Sequence, residues 1–150
     1  MKSTFVRTAD AEQRWLHYDA SEHHLGRMAS QIAMALMGKD RPTYTPSQLT
    51  GAFVVVTNSK QAKLTGSKDD DKLYVHYTQY HDGQKQVPYS RVREDRPNDI
   101  VRLAVRRMLP KTKLGHDMLR RLKVYDGPEH PHAAQQPVKV PPAAKVSAAS

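Results

Sequence analysis

Apolar residues recur at helical spacing between residues 25 and 37. One face of this segment carries Leu25, Met28, Ala29, Ile32, Ala33 and Leu36. Because these positions follow the i, i+3, i+4, i+7 spacing of an amphipathic helix, the pattern predicts a helix over residues 25–37. Gly38 suits the left-handed position after the last turn, and Pro42 stops the helix. Gly26 near the helix start suggests that some other group approaches the backbone closely there.

Two strands are predicted around this helix. Residues 15–20 are rich in aromatic side chains and end in polar residues, and Trp15, the one tryptophan of the chain, is expected to anchor the core. Residues 53–57 form a continuous β-branched run, which is typical of a strand buried on both faces. A short helix is expected over residues 60–64. This alternation of strands and helices predicts an α/β fold with a parallel sheet.

Residues 72–80 alternate between two faces, which predicts a half-exposed strand. Leu73, Val75 and Tyr77 share one face, and Tyr74, His76 and Thr78 share the other. Asp82-Gly83 indicates a hairpin turn, and residues 84–89 are expected to return alongside, with Pro88 marking an edge strand. The tyrosines and basic residues of this hairpin could stack on unpaired RNA bases or pack on the sheet, and the sequence leaves both interpretations open.

The carboxyl-terminal half predicts two further helices and a last strand. Arg96-Pro97 opens a helix whose apolar face is Ile100, Val101, Ala104, Val105 and Met108. Leu109-Pro110 ends it, Thr112 can cap the next helix, and residues 122–125 form a short strand. Residues 1–14 are expected to be an irregular arm. The chain is therefore divided into one domain, residues 1–137, and a Pro- and Ala-rich tail, residues 138–150, expected to be extended or disordered.

The distribution of charge along the chain indicates what kind of partner it binds. The chain has a formal net charge of +9, and residues 102–125 hold eight Lys and Arg against one acid, Asp117. Because apolar residues recur between these charges, the segment is expected to be a packed element with a positive face that binds a polyanion. The short apolar runs predict no membrane span, and residues 1–8 lack the apolar region of a signal peptide.

Chemistry other than polyanion binding is weakly supported. The chain has no cysteine, which excludes disulfides and Cys-ligated zinc. The single glycine of Leu25-Gly26-Arg27 is not a nucleotide-binding loop, and residues 69–71, three aspartates, are interpreted as a solvated loop. His130 and His132 are the best metal candidates, with Glu129 and His116 as helpers, but zinc needs three or four fixed ligands. We therefore expect no enzyme activity, no cofactor and no metal.

Several motifs occur together in one order along residues 2–137. They are Trp15…Asp19-Ala20, Leu25-Gly26-Arg27-Met28-Ala29, Gly38-Lys39, Tyr44-Thr45-Pro46, Gly51-x-Phe53-Val54-Val55-Val56-x-Asn58, Thr65-Gly66-x-Lys68, Met108-Leu109-Pro110-Lys111 and Arg121-Leu122-Lys123-Val124-Tyr125-x-Gly127-x-Glu129-His130-Pro131-His132-x-x-Gln135-x-Pro137. In these motifs the chain resembles the ribosomal large-subunit protein thirteen family in its bacterial form. It departs from the family pattern at Ala52, at Arg107 and in the missing second glycine of the hairpin tip.

The resemblance implies a three-layer α/β/α fold with a mostly parallel four-stranded sheet, to which the chain adds a basic hairpin and an extended tail. It implies a structural role in the cytoplasmic ribosome: binding large-subunit ribosomal RNA, early subunit assembly and contact with neighbouring ribosomal proteins. The positions matched to RNA contact by its motifs are Arg27, Lys39, Lys68, Lys111, Arg121, Lys123, His130 and His132. Charge alone adds Arg106, Arg107, Lys113 and Arg120, of which Arg107 is expected to supply an extra phosphate contact.

Two other functions remain open at the level of sequence. One is a small α/β enzyme that acts on a nucleotide or a phosphorylated substrate at the helix start near Gly26. The other is a free regulatory protein that binds messenger RNA, which could coexist with the ribosomal role.

Overall fold

The computed structural model describes residues 5–142. The first four residues of the predicted arm and the part of the predicted tail from residue 143 onward lie outside this range. The strands are β1 (Trp15–Asp19), β2 (Phe53–Thr57), β3 (Leu73–Tyr77), β4 (Gln84–Pro88), β5 (Leu122–Val124) and β6 (Val138–Lys139). The helices are α1 (Leu25–Met37), α2 (Lys68–Asp71), α3 (Tyr89–Asp95), α4 (Pro97–Met108) and α5 (Lys113–Arg120).

Four strands form one parallel sheet in the order β5-β2-β1-β6. This arrangement confirms the predicted α/β class and the parallel four-stranded sheet. The edge strand β6 comes from the start of the predicted tail, where Val138 pairs with Leu16 and Lys139 pairs with His17. A two-residue strand has no periodicity of its own, so its place depends on β1 offering a free edge. A separate antiparallel sheet, β3 and β4, forms the predicted hairpin.

The main core lies between one face of this sheet and the helices α1 and α4. Tyr18, Val54, Val56 and Leu122 point into it and are buried. The predicted apolar face of α1 is confirmed, because all six of its residues are buried. On α4, Ile100, Val101 and Val105 are buried, and Ala104 packs against the core. Met108 was wrongly assigned to this face, since its side chain lies at the exposed end of the helix.

The opposite face of the sheet carries aromatic and imidazole rings. Trp15 and Phe53 stack there with ring centroids 4.6 Å apart, and they are neighbours in the parallel register. Rings from the segment after β5 cover this face, with His132 lying 5.1 Å from Trp15 and His130 lying 5.4 Å from His17. Trp15 is only partly buried, so the expectation that it anchors the core is wrong.

The helix ends follow their local signals. Gly38 has φ 77°, and its backbone N–H donates to the Ala35 carbonyl, as predicted for the end of α1. Pro97 begins α4, and the Thr112 hydroxyl accepts a hydrogen bond from Gly115 N at 3.2 Å to cap α5. No helix described in residues 5–142 is both long enough and apolar enough to cross a bilayer.

Three local expectations need correction. The predicted short helix at residues 60–64 is a single 3-10 turn, Ser59–Gln61. Residues 69–71 belong to the helical turn α2 and not to a loop, because Asp71 N donates to the Ser67 carbonyl at 3.0 Å and Lys72 N to the Lys68 carbonyl at 3.2 Å. The predicted solvent exposure is confirmed. Helix α3 was not predicted, since residues 89–95 contain few apolar positions and only Tyr89 is buried.

Glycine is required at Gly51 and not at Gly26. A Cβ at Gly26 would meet no atom within 4 Å, so no other part of the chain makes the expected close approach there. A Cβ at Gly51 would overlap the backbone carbonyl of Leu36 in α1. The start of β2 can therefore lie against the last turn of α1 only because residue 51 has no side chain.

The Gly51→Ala substitution should lower the free energy of unfolding by about 1–3 kcal/mol, because backbone must move to relieve the overlap. Gly127→Ala is the matched control: its Cβ would lie in open space, and its effect should stay within about 0.5 kcal/mol. Urea unfolding of the full chain measures both. Equal stabilities of the two variants would contradict this account of the α1–β2 contact.

Candidate nucleic-acid interface

A groove of about 780 Å³ opens where the amino end of α1 meets α2 and the carboxyl end of α4. Basic side chains from four segments of the chain line it, with Asp71 as the one acid. These cations, which we name the cationic cleft, are Arg27, Lys63, Lys68, Lys72 and Arg107. The fold thus concentrates positive charge that is dispersed along the sequence.

The cationic cleft is electrostatically unfavourable in the free chain. Within residues 5–142, none of its five cations lies within ion-pair distance of a carboxylate. Burial lowers the pKa of the Lys72 ammonium, and the charges of Arg107 and Lys68 lower it further. Asp71 accepts a hydrogen bond from Ser67. An anion bound in the groove would relieve the repulsion among these cations.

The start of α1 adds to this positive potential. His24 occupies the cap position but its side chain makes no capping hydrogen bond, and Leu25 N donates to the Lys63 carbonyl at 2.9 Å. The amino end of a helix carries a partial positive charge. Gly26 lines the groove without a side chain above the backbone. A phosphate oxygen could therefore approach the backbone here as well as the basic side chains.

A second basic group surrounds the turn between α4 and α5. Arg106, Lys111 and His116 line a smaller groove of about 190 Å³. Gly115 closes the turn, since a Cβ there would overlap the Pro110 carbonyl. Lys113 is exposed on the first turn of α5 but does not line this groove. The close packing of Gly115 against Pro110 thus positions the basic side chains on either side of the turn.

A third basic group lies beside β5. Arg102, Arg120 and Lys123 line a shallow groove of about 520 Å³ together with Tyr125. Arg120 Nη1 lies 3.2 Å from Asp117 Oδ1, so part of its charge is neutralised on the surface. The basic run of residues 102–125 therefore does not form one face. Six of its eight charges are divided among three grooves, with Arg107 alone reaching the cationic cleft, and Lys113 and Arg121 line none of the three.

Arg121 has an internal structural contact. Its guanidinium lies 4.7 Å from the centroid of the Phe53 ring, and its Nη1 donates to the Gly51 carbonyl at 2.5 Å. Burial lowers the pKa of this guanidinium. Arg121 thus links β5 to the start of β2, and its predicted RNA contact has no support from an open groove.

His130 and His132 also pack internally. His132 Nε2 shares a hydrogen bond of 2.8 Å with the Tyr125 hydroxyl, and His132 N donates to His130 Nδ1 at 3.2 Å. Burial lowers the pKa of His132, with His130 and Lys123 lowering it further, and burial likewise lowers the pKa of His17. No cluster of three metal-binding side chains occurs within residues 5–142.

Lys39 lies at the other end of α1 from the cleft, about 20 Å away along the helix axis. Its ammonium is 5.9 Å from the centroid of the Tyr44 ring. The structure therefore brings together three of the predicted residues, Arg27, Lys68 and Arg107. It adds Lys63 and Lys72, which sequence reasoning did not select, although both flank the Thr65-Gly66-x-Lys68 motif.

Comparison with known proteins identifies one family. Residues 13–131 match the family model described as Ribosomal protein L13. A relative named Large ribosomal subunit protein uL13, from Caldanaerobacter subterraneus subsp. tengcongensis, is 49% identical over 140 residues, covering 93% of this chain and 98% of the relative. The protein of that name from Geobacter sulfurreducens is 50% identical over 138 residues, covering 91% and 96%. The one from Aquifex aeolicus is 44% identical over 137 residues, covering 91% and 95%.

The partly buried imidazoles of His17 and His132 predict a pH dependence of stability. Since the pKa values of His17 and His132 are lowered in the folded chain, the unfolded chain binds protons more readily below the ordinary value of 6.5. Stability is therefore full above that pH and should fall as the pH drops below it. Urea unfolding at about pH 7.5 and about pH 5.5 should show a smaller fall for His132→Gln than for the parent chain. The control His81→Gln, in the exposed hairpin turn, should match the parent; equal falls for all three would refute the assignment.

Proposed function

Because this chain belongs to the ribosomal protein L13 family, we propose that it is a structural constituent of the large ribosomal subunit and binds ribosomal RNA. The observation that carries the RNA contact is the cationic cleft, in which five cations line one groove with no carboxylate of residues 5–142 at ion-pair distance. The family description is that of a ribosomal protein and not of an enzyme. A small α/β enzyme is therefore not proposed. The place of action is the cytoplasmic ribosome.

The cationic cleft is suited to the backbone of RNA more than to its bases. Lysine ammonium groups and the planar arginine fork pair with phosphate oxygens, and such contacts position a nucleic acid without reading its sequence. Arg107 contributes a guanidinium group from the end of α4, and Arg27 contributes one from the first turn of α1. A strand that enters the groove would thus be held by two helices at once. Such a clamp fits a protein that joins the particle early and orders RNA around it.

The basic groups outside the cleft extend the proposed RNA surface. Arg106 and Lys111 lie at the turn between α4 and α5, and Arg102 and Lys123 lie beside β5. Because each phosphate contact displaces bound counterions, several such groups together make affinity depend steeply on salt. Lys39, Lys113 and Arg120 are proposed as peripheral contacts. Arg121, His130 and His132 are proposed to act on RNA binding mainly by shaping the sheet face beneath them.

Messenger RNA in a regulatory role is a further proposal for the same cleft. A messenger strand could occupy the groove through phosphate contacts when ribosomal RNA is absent. Since such contacts do not distinguish one RNA from another, a regulatory role also requires that one messenger have a folded shape that fits the chain better than other RNA does. Binding of the isolated chain to one messenger fragment at physiological salt would support this role. Affinity no higher than for unrelated RNA would argue against it.

Sedimentation tests the proposed function. At low salt, nearly all copies of the chain in a cell extract should travel with the large subunit, and a mostly free pool would contradict the assignment. The double variant Lys68→Gln and Arg107→Gln should dissociate at lower salt than the parent, because two phosphate contacts are lost. With purified ribosomal RNA, the slope of log affinity against log salt should become shallower by about 1–2.

A matched control removes the same charge elsewhere. Arg91→Gln with Lys139→Gln also deletes two cations, but Arg91 is paired with Asp95 at 3.6 Å and Lys139 with Glu22 at 2.7 Å. This control pair should leave the salt slope close to that of the parent chain. If both double variants change the slope equally, RNA affinity depends only on the net charge of the chain, and the cationic cleft has no special role.

A further inference from the structure

The hairpin of β3 and β4 turns an apolar face toward solvent. Leu73, Val75 and Tyr77 are exposed by 48%, 55% and 58%. They alternate along β3, and the antiparallel register sets Pro88, Gln86 and Gln84 beside them. We name these residues the hairpin face: Leu73, Val75, Tyr77, Gln84, Gln86 and Pro88. Exposed apolar side chains gathered on one face mark interaction sites more often than scattered ones do.

The other side of the hairpin is fixed to the domain, so the hairpin face cannot simply turn inward. Tyr74 and Val87 are partly buried there, and Tyr74 packs against the main core. Burial raises the pKa of the Tyr74 phenol. At the base of the hairpin, Tyr89 N donates to the Lys72 carbonyl at 2.9 Å. Because the side-chain period of a strand is two, these inward contacts hold Leu73, Val75 and Tyr77 outward.

The hairpin tip continues the same surface. Thr78 N donates to the Gly83 carbonyl at 2.9 Å, and Gly83 N donates to the Tyr80 carbonyl at 3.0 Å. These bonds order the turn and leave the Tyr80 side chain 79% exposed. A Cβ at Gly83 would overlap the Thr78 hydroxyl, so glycine is required for this turn. The tip therefore holds a tyrosine ring beyond the end of the hairpin face.

No member of the hairpin face is charged, which is unusual on a chain of net charge +9. The basic groups of the hairpin lie elsewhere: His76 pairs across the strands with Lys85 on the opposite face. Lys72 extends over the Tyr74 ring, with its Nζ 5.4 Å from the centroid. A surface that binds RNA phosphates needs cations. The separation of charge to one face and apolar groups to the other indicates different partners for the two.

We infer that the hairpin face docks an uncharged apolar surface of a neighbouring protein in the large subunit. This inference rests on the proposed function, since the partner belongs to the same particle. Leu73 and Val75 are aliphatic and provide no flat ring for a nucleotide base. Tyr77 does provide one, but the hairpin face has no cation to hold the phosphate that a stacked base brings with it. A second copy of the chain is a poor occupant, because two chains of charge +9 repel each other.

A photo-crosslinker in place of Val75 tests the inference in assembled particles. Full-length chain carrying benzoylphenylalanine at residue 75 is expressed in cells, large subunits are purified and irradiated, and the adducts are identified by mass spectrometry. The expected adduct is one peptide of a large-subunit protein with an apolar, uncharged surface. The same probe at Lys85, on the opposite face, is the control and should not yield that peptide. An adduct to RNA, to a second copy or to no partner, or the same peptide from both positions, would overturn the inference.

Salt separates this contact from the phosphate contacts. Apolar contacts persist at high salt, whereas phosphate contacts weaken. Val75→Glu should therefore reduce retention on subunits after a high-salt wash roughly tenfold, while binding of the isolated chain to purified ribosomal RNA stays unchanged. The cleft variant Lys68→Gln with Arg107→Gln should show the converse, a loss of RNA affinity. Chain missing from subunits altogether would refute the proposed function; chain present but insensitive to Val75→Glu would refute only the docking inference.

Discussion

The packing of α1 against α4 over one face of the parallel sheet is the contact on which the remaining structure depends. Ile32 and Leu36 of α1 and Ile100 and Val105 of α4 are fully buried in the same core. This contact sets the first turn of α1 beside the last turns of α4, and the cationic cleft opens there. The positions of Arg27 and Arg107 are therefore consequences of apolar packing.

The free energy of that core allows the cleft to hold like charges together. Fully burying a large aliphatic side chain contributes about 1.5–3 kcal/mol, and several such residues join α1 to α4. Repulsion among exposed or partly exposed cations is weaker, because water and salt screen it. The fold can thus keep Lys68, Lys72 and Arg107 close although no carboxylate in the described part of the chain pairs with them. The cations are therefore already in position before an anion binds. Because fewer side chains have to be ordered on binding, less conformational entropy is lost.

Local sequence was sufficient for the strongly periodic or capped elements but not for short ones such as α3, nor for the grouping of the elements. The bounds of α1, the buried strand β2 and the cap of α5 follow from periodicity, Gly38 and Thr112, which act within a few residues. By contrast, Arg121 sits in a basic run that suggested RNA contact, yet its ring partner, Phe53, is remote in sequence. Lys63 joins the cleft because Leu25 N at the start of α1 donates to its carbonyl, and Lys72 joins it beside Arg107 of α4. Long-range contacts of this kind leave no local pattern.

The most direct measurement of the central claim is the structure of the purified large subunit at a resolution that shows RNA phosphates around this chain. We expect a phosphate within hydrogen-bond distance of at least two of Lys68, Lys72 and Arg107, in the groove at the start of α1. This expectation would be contradicted if that groove held protein or solvent while ribosomal RNA contacted other surfaces of the chain.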